Sequence, residues 1–209
     1  PLWELMPASL AGELADFAAL MRDILGRPVR IDGFRAPTFS LDEGTGWAVD
    51  VLAEHGYRYD SSIFPLRNFL YGVSGAPAAP YRISSADVRR PDPAGRLVEF
   101  PMTVCRLGPL RLPASGGVYL RLLPLPLMRW CLRRVERERP AALYLHPWET
   151  YPGTRRVRLP ALAWLATYWN LGRTLSKLER LLGAFRFAPL GVVLAQQGLL
   201  EALPLDAAG

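Results

Sequence analysis

The chain has 209 residues, half of them apolar and 21% charged, a balance that excludes a disordered polymer and suits one domain with a sizeable core. Its net charge of +6 comes from arginine, since lysine occurs once, at Lys177. A basic surface suits nucleic acid, anionic lipid or an acidic polysaccharide, and arginine excess also follows from a GC-rich genome; with no nucleic-acid-binding motif and no aromatics interleaved with the basic residues, no nucleic-acid partner is expected.

Taken in chain order, Pro7–Leu25 reads as an amphipathic helix. Leu10, Leu14, Phe17, Leu20, Met21 and Ile24 recur at helical spacing, Ser9 is its candidate cap, and Gly26 with Pro28 stops it. Residues 29–34 form a strand candidate whose exit loop is Arg35-Ala36-Pro37. Asp42 or Thr45 caps a second helix through Trp47, Val51 and Leu52 to about His55, and Gly56 ends it. Residues 57–59 make a short strand with Asp60-Ser61-Ser62 as its exit loop. This alternation of helix, strand and loop predicts parallel β/α units, in which chemistry sits on the loops after the strands.

Residues 65–113 turn irregular, rich in Pro and Gly, with short β-like pieces such as 97–100. Gly116-Gly117 is a turn. A basic helix is predicted over residues 125–139 and stopped by Pro140, then a strand over 141–145 leading straight into His146. Residues 159–168 and Thr174–Leu182 predict two further helices, and residues 185–194 a last strand. The tail after Gln196 is weakly patterned. No internal repeat or low-complexity linker divides the chain.

Cys105 and Cys131 match no zinc-ligand spacing and no redox pair, so buried free thiols are expected. No signal peptide is legible. Residues 118–132 are apolar but interrupted by Arg121, Pro124, Pro126 and Arg129, so no transmembrane helix is predicted. The chain opens on Pro1 instead of methionine, and a fragment or processed product is expected.

His146 follows a predicted strand and carries a side chain suited to general acid or base work; the Pro147-Trp148-Glu149 beside it adds an aromatic and a carboxylate, which suit a carbohydrate site. His55, the other histidine, is explained by capping a helix C-terminus. Arg35, fixed by Pro37, suits a bidentate hold on a carboxylate. Asp60 suits either a local turn or the charge-tuning of His146. Phe39, Trp47, Tyr119 and Trp148 are candidate platforms for sugar rings. Two histidines so far apart do not make a catalytic zinc site.

Several segments stand in a telling order: Gly33-Phe34-Arg35-Ala36-Pro37-Thr38-Phe39-Ser40, then Trp47, then Gly56-Tyr57-Arg58-Tyr59-Asp60-Ser61-Ser62-Ile63-Phe64-Pro65, then Gly116-Gly117, then Tyr144-Leu145-His146-Pro147-Trp148-Glu149. Together they resemble the polysaccharide deacetylases of carbohydrate esterase family 4, with the NodB-homology domain, and most of all the branch at bacterial exopolysaccharide and exosortase loci, which carries a C-terminal extension of unknown role. The resemblance implies a partial, distorted (β/α) barrel lacking its first strands, with the deacetylase domain over residues 1–150 and a helical extension over 151–209 packed on it. It implies a hydrolase of N-acetyl groups on an amino-sugar polysaccharide in which a divalent metal, usually zinc, activates water, an aspartate is the base and a histidine is the acid. Carried over, His146 is the acid, Asp60 tunes it, and Arg35 holds the base; Pro37, Phe39, Trp148, Glu149 and Tyr119 contact substrate.

The family's Asp-Asp motif and its two metal histidines have no counterpart among residues 1–32, so no metal ligand is assigned in this chain, and the chain alone is expected to be inactive. Tyr144 stands where the family often has leucine, and Ser61-Ser62 where it often has an aromatic. An exposed barrel edge is expected to favour self-association. Two other readings belong to different classes: a non-catalytic carbohydrate-binding or assembly protein, and a basic peripheral protein docking on anionic membrane through residues 129–139. The bacterial compartment, cytoplasm or cell envelope, stays open.

Overall fold

The computed structural model describes residues 1–68 and 70–201. The elements run α1 (Pro7–Leu25), β1 (Gly33–Phe34), α2 (Trp47–Glu54), β2 (Tyr59–Asp60), β3 (Tyr81–Arg82), β4 (Val98–Glu99), β5 (Val104–Leu107), β6 (Leu110–Pro113), α3 (Gly117–Leu122), α4 (Leu125–Glu136), α5 (Ala161–Tyr168), α6 (Thr174–Leu182) and α7 (Leu190–Gln196). Short 3-10 turns include Pro37–Phe39 and Pro147–Thr150. The chain divides into two compact units, one of Pro1–Met102 with the segment from Pro189, the other of Thr103–Ala188.

In the first unit the strands lie in the order β1-β2-β4-β3. The first three are parallel, with Phe34 beside Asp60 and Asp60 beside Glu99; β3 returns antiparallel, with Tyr81 beside Glu99. The α1-β1-α2-β2 run is therefore the parallel β/α alternation expected, built with two-residue strands. This is a mixed α/β architecture, and among the described residues the sheet does not close on itself.

Pro7 opens α1 because its missing N–H is no loss in a first turn. Ser9 is not the cap: it sits inside the helix and its N–H reaches the Met6 carbonyl at 3.0 Å. Gly26, at φ 65°, ends the helix in the left-handed conformation. Of the predicted apolar stripe, Leu10 and Leu14 are buried against the core with Leu52 and Tyr57, while Phe17, Leu20 and Ile24 are exposed. The reason is length: 19 residues span about 28 Å, and two-residue strands cannot back so long a helix. Around α2, Thr45 and Asp42 tie the preceding loop together through Asp42 N to Thr45 Oγ1 at 2.8 Å and Thr45 Oγ1 to the Ser40 carbonyl at 2.8 Å, and neither side chain caps the helix start, where the Thr45 carbonyl accepts from Ala48 N at 3.0 Å. His55 does cap its end, Nδ1–H donating to the Val51 carbonyl at 2.8 Å.

In the second unit β5 and β6 form a hairpin around Gly108-Pro109. Its core gathers Cys105, Leu120, Met128, Cys131, Leu132, Val135 and Leu181. Residues 141–145, predicted as a strand, run without a strand partner. The Thr103 hydroxyl takes the place of a ladder, accepting from Ala142 N at 2.7 Å and donating to the Ala142 carbonyl at 2.9 Å. In the first unit, the predicted strand over 185–194 is instead α7, launched by Pro189; a short apolar run bounded by proline does not reveal its own period. The basic helix of residues 125–139 ends three residues early, at Glu136. The weakly patterned tail beyond residue 201 lies outside the described residues.

Cys105 and Cys131 are both free and buried, as expected. Burial, reinforced by the Cys105 side chain, pushes the Cys131 thiol up to about 12, so almost no thiolate forms at neutral pH. A disulfide-exchange reagent is accordingly expected to titrate no thiol in the native chain and both in denaturant. Rapid native labelling of either cysteine would contradict this packing.

Candidate functional site

The candidate residues fall into two sets, Arg35, Pro37, Phe39 and Asp60 in the first unit and Tyr119, His146, Trp148 and Glu149 in the second.

Because β1 and β2 are parallel and in register, Arg35 and Ser61 leave the sheet at the same end. The Arg35 guanidinium donates to the Ser61 carbonyl and to Ser61 Oγ, both at 2.7 Å, and Ser61 Oγ–H donates to the Phe100 carbonyl at 2.7 Å. Ser62 Oγ accepts from Ala36 N and donates to Asp60 Oδ1, again at 2.7 Å. The two serines thus lace the arginine loop to the aspartate loop. Pro37 is exposed at the rim. Thr38 and Phe39 follow with φ of 55° and 52°, a left-handed pair that costs of order 1–3 kcal/mol per residue. The Phe39 ring offsets this by packing at 6.0 Å from Phe64 and 5.1 Å from Tyr71. Only 8% exposed, Phe39 is a core ring rather than an open sugar platform. Beside this loop a cavity of about 500 Å³ opens between α1 and β1, lined among others by Leu10, Leu14, Phe17, Phe34 and Arg35.

Asp60 is fully buried and has a partner that sequence reading missed. Glu99, its neighbour on β4, is equally buried. Asp60 accepts from Ser62 N at 3.0 Å and Ser62 Oγ, and Glu99 Oε1 accepts from Ile63 N at 2.9 Å. Glu99 Oε2 has no hydrogen-bond donor among the described residues, and the carboxyl it neighbours across the sheet is that of Asp60. Two carboxyl groups buried side by side on neighbouring strands repel strongly if both ionise, so the pair favours keeping a proton. Burial, and then the Asp60 charge, hold the Glu99 carboxyl well above its ordinary range; burial also raises Asp60. Tyr81 faces the pair from β3, held neutral by burial and by both carboxylates, with its hydroxyl donated to the Val88 carbonyl. Glu99 was invisible in the sequence because Leu97-Val98-Glu99-Phe100 reads as an apolar strand with one outward polar residue.

In the second unit His146 is exposed at the start of the Pro147–Thr150 turn. Its Nε2 is 2.5 Å from the Tyr144 hydroxyl. The Trp148 indole lies nearly parallel to the imidazole at 6.2 Å, with an interplanar angle of 19°, and is 37% exposed. Glu149 turns inward: it is 3% exposed, pairs with the buried Arg121, and accepts from His146 N at 2.8 Å. Its carboxylate is committed to shaping the histidine turn. Arg121 also donates to the Ala166 carbonyl and stands 5.6 Å over Trp148. Gly117 explains the Gly-Gly turn, since a Cβ there would lie 2.1 Å from the Glu149 carboxylate. Tyr119 is half-buried in α3. Lys177 Nζ donates to the carbonyls of Leu120, Arg121 and Leu123 at 2.9, 3.0 and 2.9 Å, capping the end of α3.

Residues 61–195 match a family described as a domain of unknown function, DUF3473. The chain belongs to that family. The family is associated with polysaccharide deacetylase-like proteins. No curated protein and no solved structure matches the chain. The DUF3473 match contains Ser61, Ser62, Glu99, Arg121, His146 and Glu149, whereas Arg35 and Asp60 precede it.

Two outcomes follow from these buried charges. Glu99→Gln keeps an acceptor for Ile63 N and gives Asp60 an N–H. Above about pH 4.5, the ordinary glutamate value, the unfolded chain releases protons that the folded pair retains, so the pair's contribution to stability falls as pH rises through its raised range. Denaturant unfolding at pH 5 and pH 8 is expected to show a shallower decline for Glu99→Gln than for the wild type; parallel declines would refute the shared proton. Glu149→Ala leaves Arg121 buried without its counter-charge and is expected to cost about 3–5 kcal/mol of unfolding free energy. The double variant Arg121→Met, Glu149→Leu is expected to cost less than that single change.

Proposed function

We propose that this chain supplies the acid and the substrate-orienting loops of a hydrolase that removes N-acetyl groups from an amino-sugar polysaccharide in exopolysaccharide biosynthesis, on a distorted (β/α) barrel. The observation that carries the reading is His146: exposed, hydrogen-bonded to Tyr144 and stacked on an accessible tryptophan, on a turn held by a buried ion pair. Membership of a family associated with polysaccharide deacetylase-like proteins supports it, as do the parallel strands that place Asp60 at the end of β2 and send Arg35 and Ser61 into neighbouring exit loops.

In amide hydrolysis the oxygen of water adds to the acetyl carbon, and the C–N bond then breaks with its electron pair going to nitrogen. That nitrogen needs a proton, and His146 is the group that donates it, leaving a free amine and acetate. Trp148 offers its exposed edge to a sugar ring. Arg35 orients a carboxylate through its serine-fixed guanidinium. Among the described residues no group of three or more His, Cys, Asp or Glu is placed to hold a metal ion, and His55 is committed to a helix carbonyl. The zinc that the resemblance implies does not fit the residues present, and no step here passes through it. Non-catalytic sugar binding is the competing reading.

The chain alone, with zinc added, is expected to release no acetate from N-acetylglucosamine oligomers. In a protein that joins this chain to an Asp-Asp motif and a metal-histidine pair, His146→Ala is expected to lower kcat about 100- to 10,000-fold while oligomer binding persists. An unchanged kcat would remove His146 from the chemistry, and binding without any turnover in that longer protein would favour the sugar-binding role.

A further inference from the structure

Helix α5 reads Ala-Leu-Ala-Trp-Leu-Ala-Thr-Tyr. A helix so nearly apolar on every side is ordinarily buried, yet Tyr168 is its one buried residue. Leu162 is 82% exposed; Leu165 and Trp169, three and seven positions on and so on the same face, are 40% and 52% exposed. Val157 and Leu159, just upstream, are exposed as well.

This surface is built, not frayed. Val157 N donates to the Tyr168 hydroxyl at 3.1 Å, Arg156 stands 5.6 Å over the Trp164 ring, and Trp164 packs at 5.8 Å from Tyr168. The upstream segment is thereby fastened along α5, and it brings Arg155, Arg156 and Arg158 with it. No aspartate or glutamate occurs between Glu149 and Glu179. Helix α1 gives the contrast: its exposed Phe17, Leu20 and Ile24 are interspersed with Glu13, Asp16 and Asp23, which an anionic surface repels.

We propose that Val157, Leu159, Leu162, Leu165 and Trp169, with Arg155, Arg156 and Arg158, form a face that docks this chain on an anionic lipid bilayer. The apolar side chains enter the boundary between headgroups and acyl chains, the indole settles at that boundary, and the guanidinium groups meet lipid phosphates. A protein groove would bury one stripe of a helix and demand carboxylates at fixed points. A bilayer accepts apolar groups from more than one side and supplies anions all round, which matches a helix whose Ala161, Leu162, Ala163 and Leu165 are all exposed. The site differs from residues 129–139, and it is independent of any hydrolytic role. It also requires no spanning segment; among the described residues no helix is long and apolar enough to cross a membrane.

The test is co-sedimentation of the chain with vesicles of phosphatidylcholine alone and of phosphatidylcholine with phosphatidylglycerol, in low and high salt. Binding is expected to need phosphatidylglycerol and to weaken with salt. Arg155→Glu and Arg158→Glu are each expected to lower the partition coefficient about fivefold or more, and Leu162→Asp to lower it about tenfold or more, with circular dichroism confirming that each variant is folded. Phe17→Asp, on the other exposed helix, is expected to change nothing. The proposal is overturned by equal binding to both vesicle types, by no binding to either, or by Phe17→Asp acting as strongly as Leu162→Asp. It is equally overturned if Leu162→Asp abolishes a concentration-dependent oligomer seen without vesicles, which would make this face a contact between copies.

Discussion

A carboxylate driven inside a protein must be neutralised, and that requirement organises both units. In the first, Glu99 meets Asp60 on the neighbouring strand, and a retained proton keeps the pair from repelling. In the second, Glu149 meets the guanidinium of Arg121. The two solutions respond to different conditions: a shared proton is lost to rising pH, while a guanidinium keeps its charge throughout the range in which proteins fold. The first unit therefore carries in its centre a charge balance that shifts as pH rises.

Each neutralised carboxylate also fixes a loop. Glu99 takes the Ile63 amide and Asp60 takes Ser62, so the segment after β2 is set from below, and Ser61 and Ser62 transmit that setting to Arg35 and Ala36. Glu149 takes the His146 amide, so the histidine turn inherits the rigidity of the buried pair. In both units the residue that meets solvent is held by one that does not. The left-handed pair at Thr38 and Phe39 is tolerable for the same reason, since Phe39 is anchored among Phe64 and Tyr71.

Much of the fold was legible. Pro7 and Gly26 bound α1, Thr174–Leu182 was read to its ends, and the parallel α1-β1-α2-β2 alternation follows from apolar spacing and glycine stops. Residues 141–145 and 185–194 were misread, because a short apolar run shows no period and the partner that decides it lies far along the chain. In the candidate site, His146, Trp148, Arg35 and Asp60 stand out in the sequence by their motifs. Glu99 and Arg121 were not, since a charged residue in an apolar stretch looks like a solvent-facing exception until burial is known. Tyr144 was noticed only as a departure from a family pattern, and its contact with the His146 ring gives that departure a physical meaning. Glu149 was read as a substrate contact because the sequence shows which groups are present, not which way they face.

The cap on α3 bears on the composition itself. Three carbonyls converge on one point there, and a tetrahedral ammonium with three rotating N–H bonds satisfies them together. A planar guanidinium spreads its donors along a rigid fork and cannot aim three of them at carbonyls clustered around a single atom. A chain that writes every other long basic side chain as arginine therefore has a stereochemical reason to keep lysine at position 177: the exception marks the place where charge alone is insufficient and the shape of the cation decides.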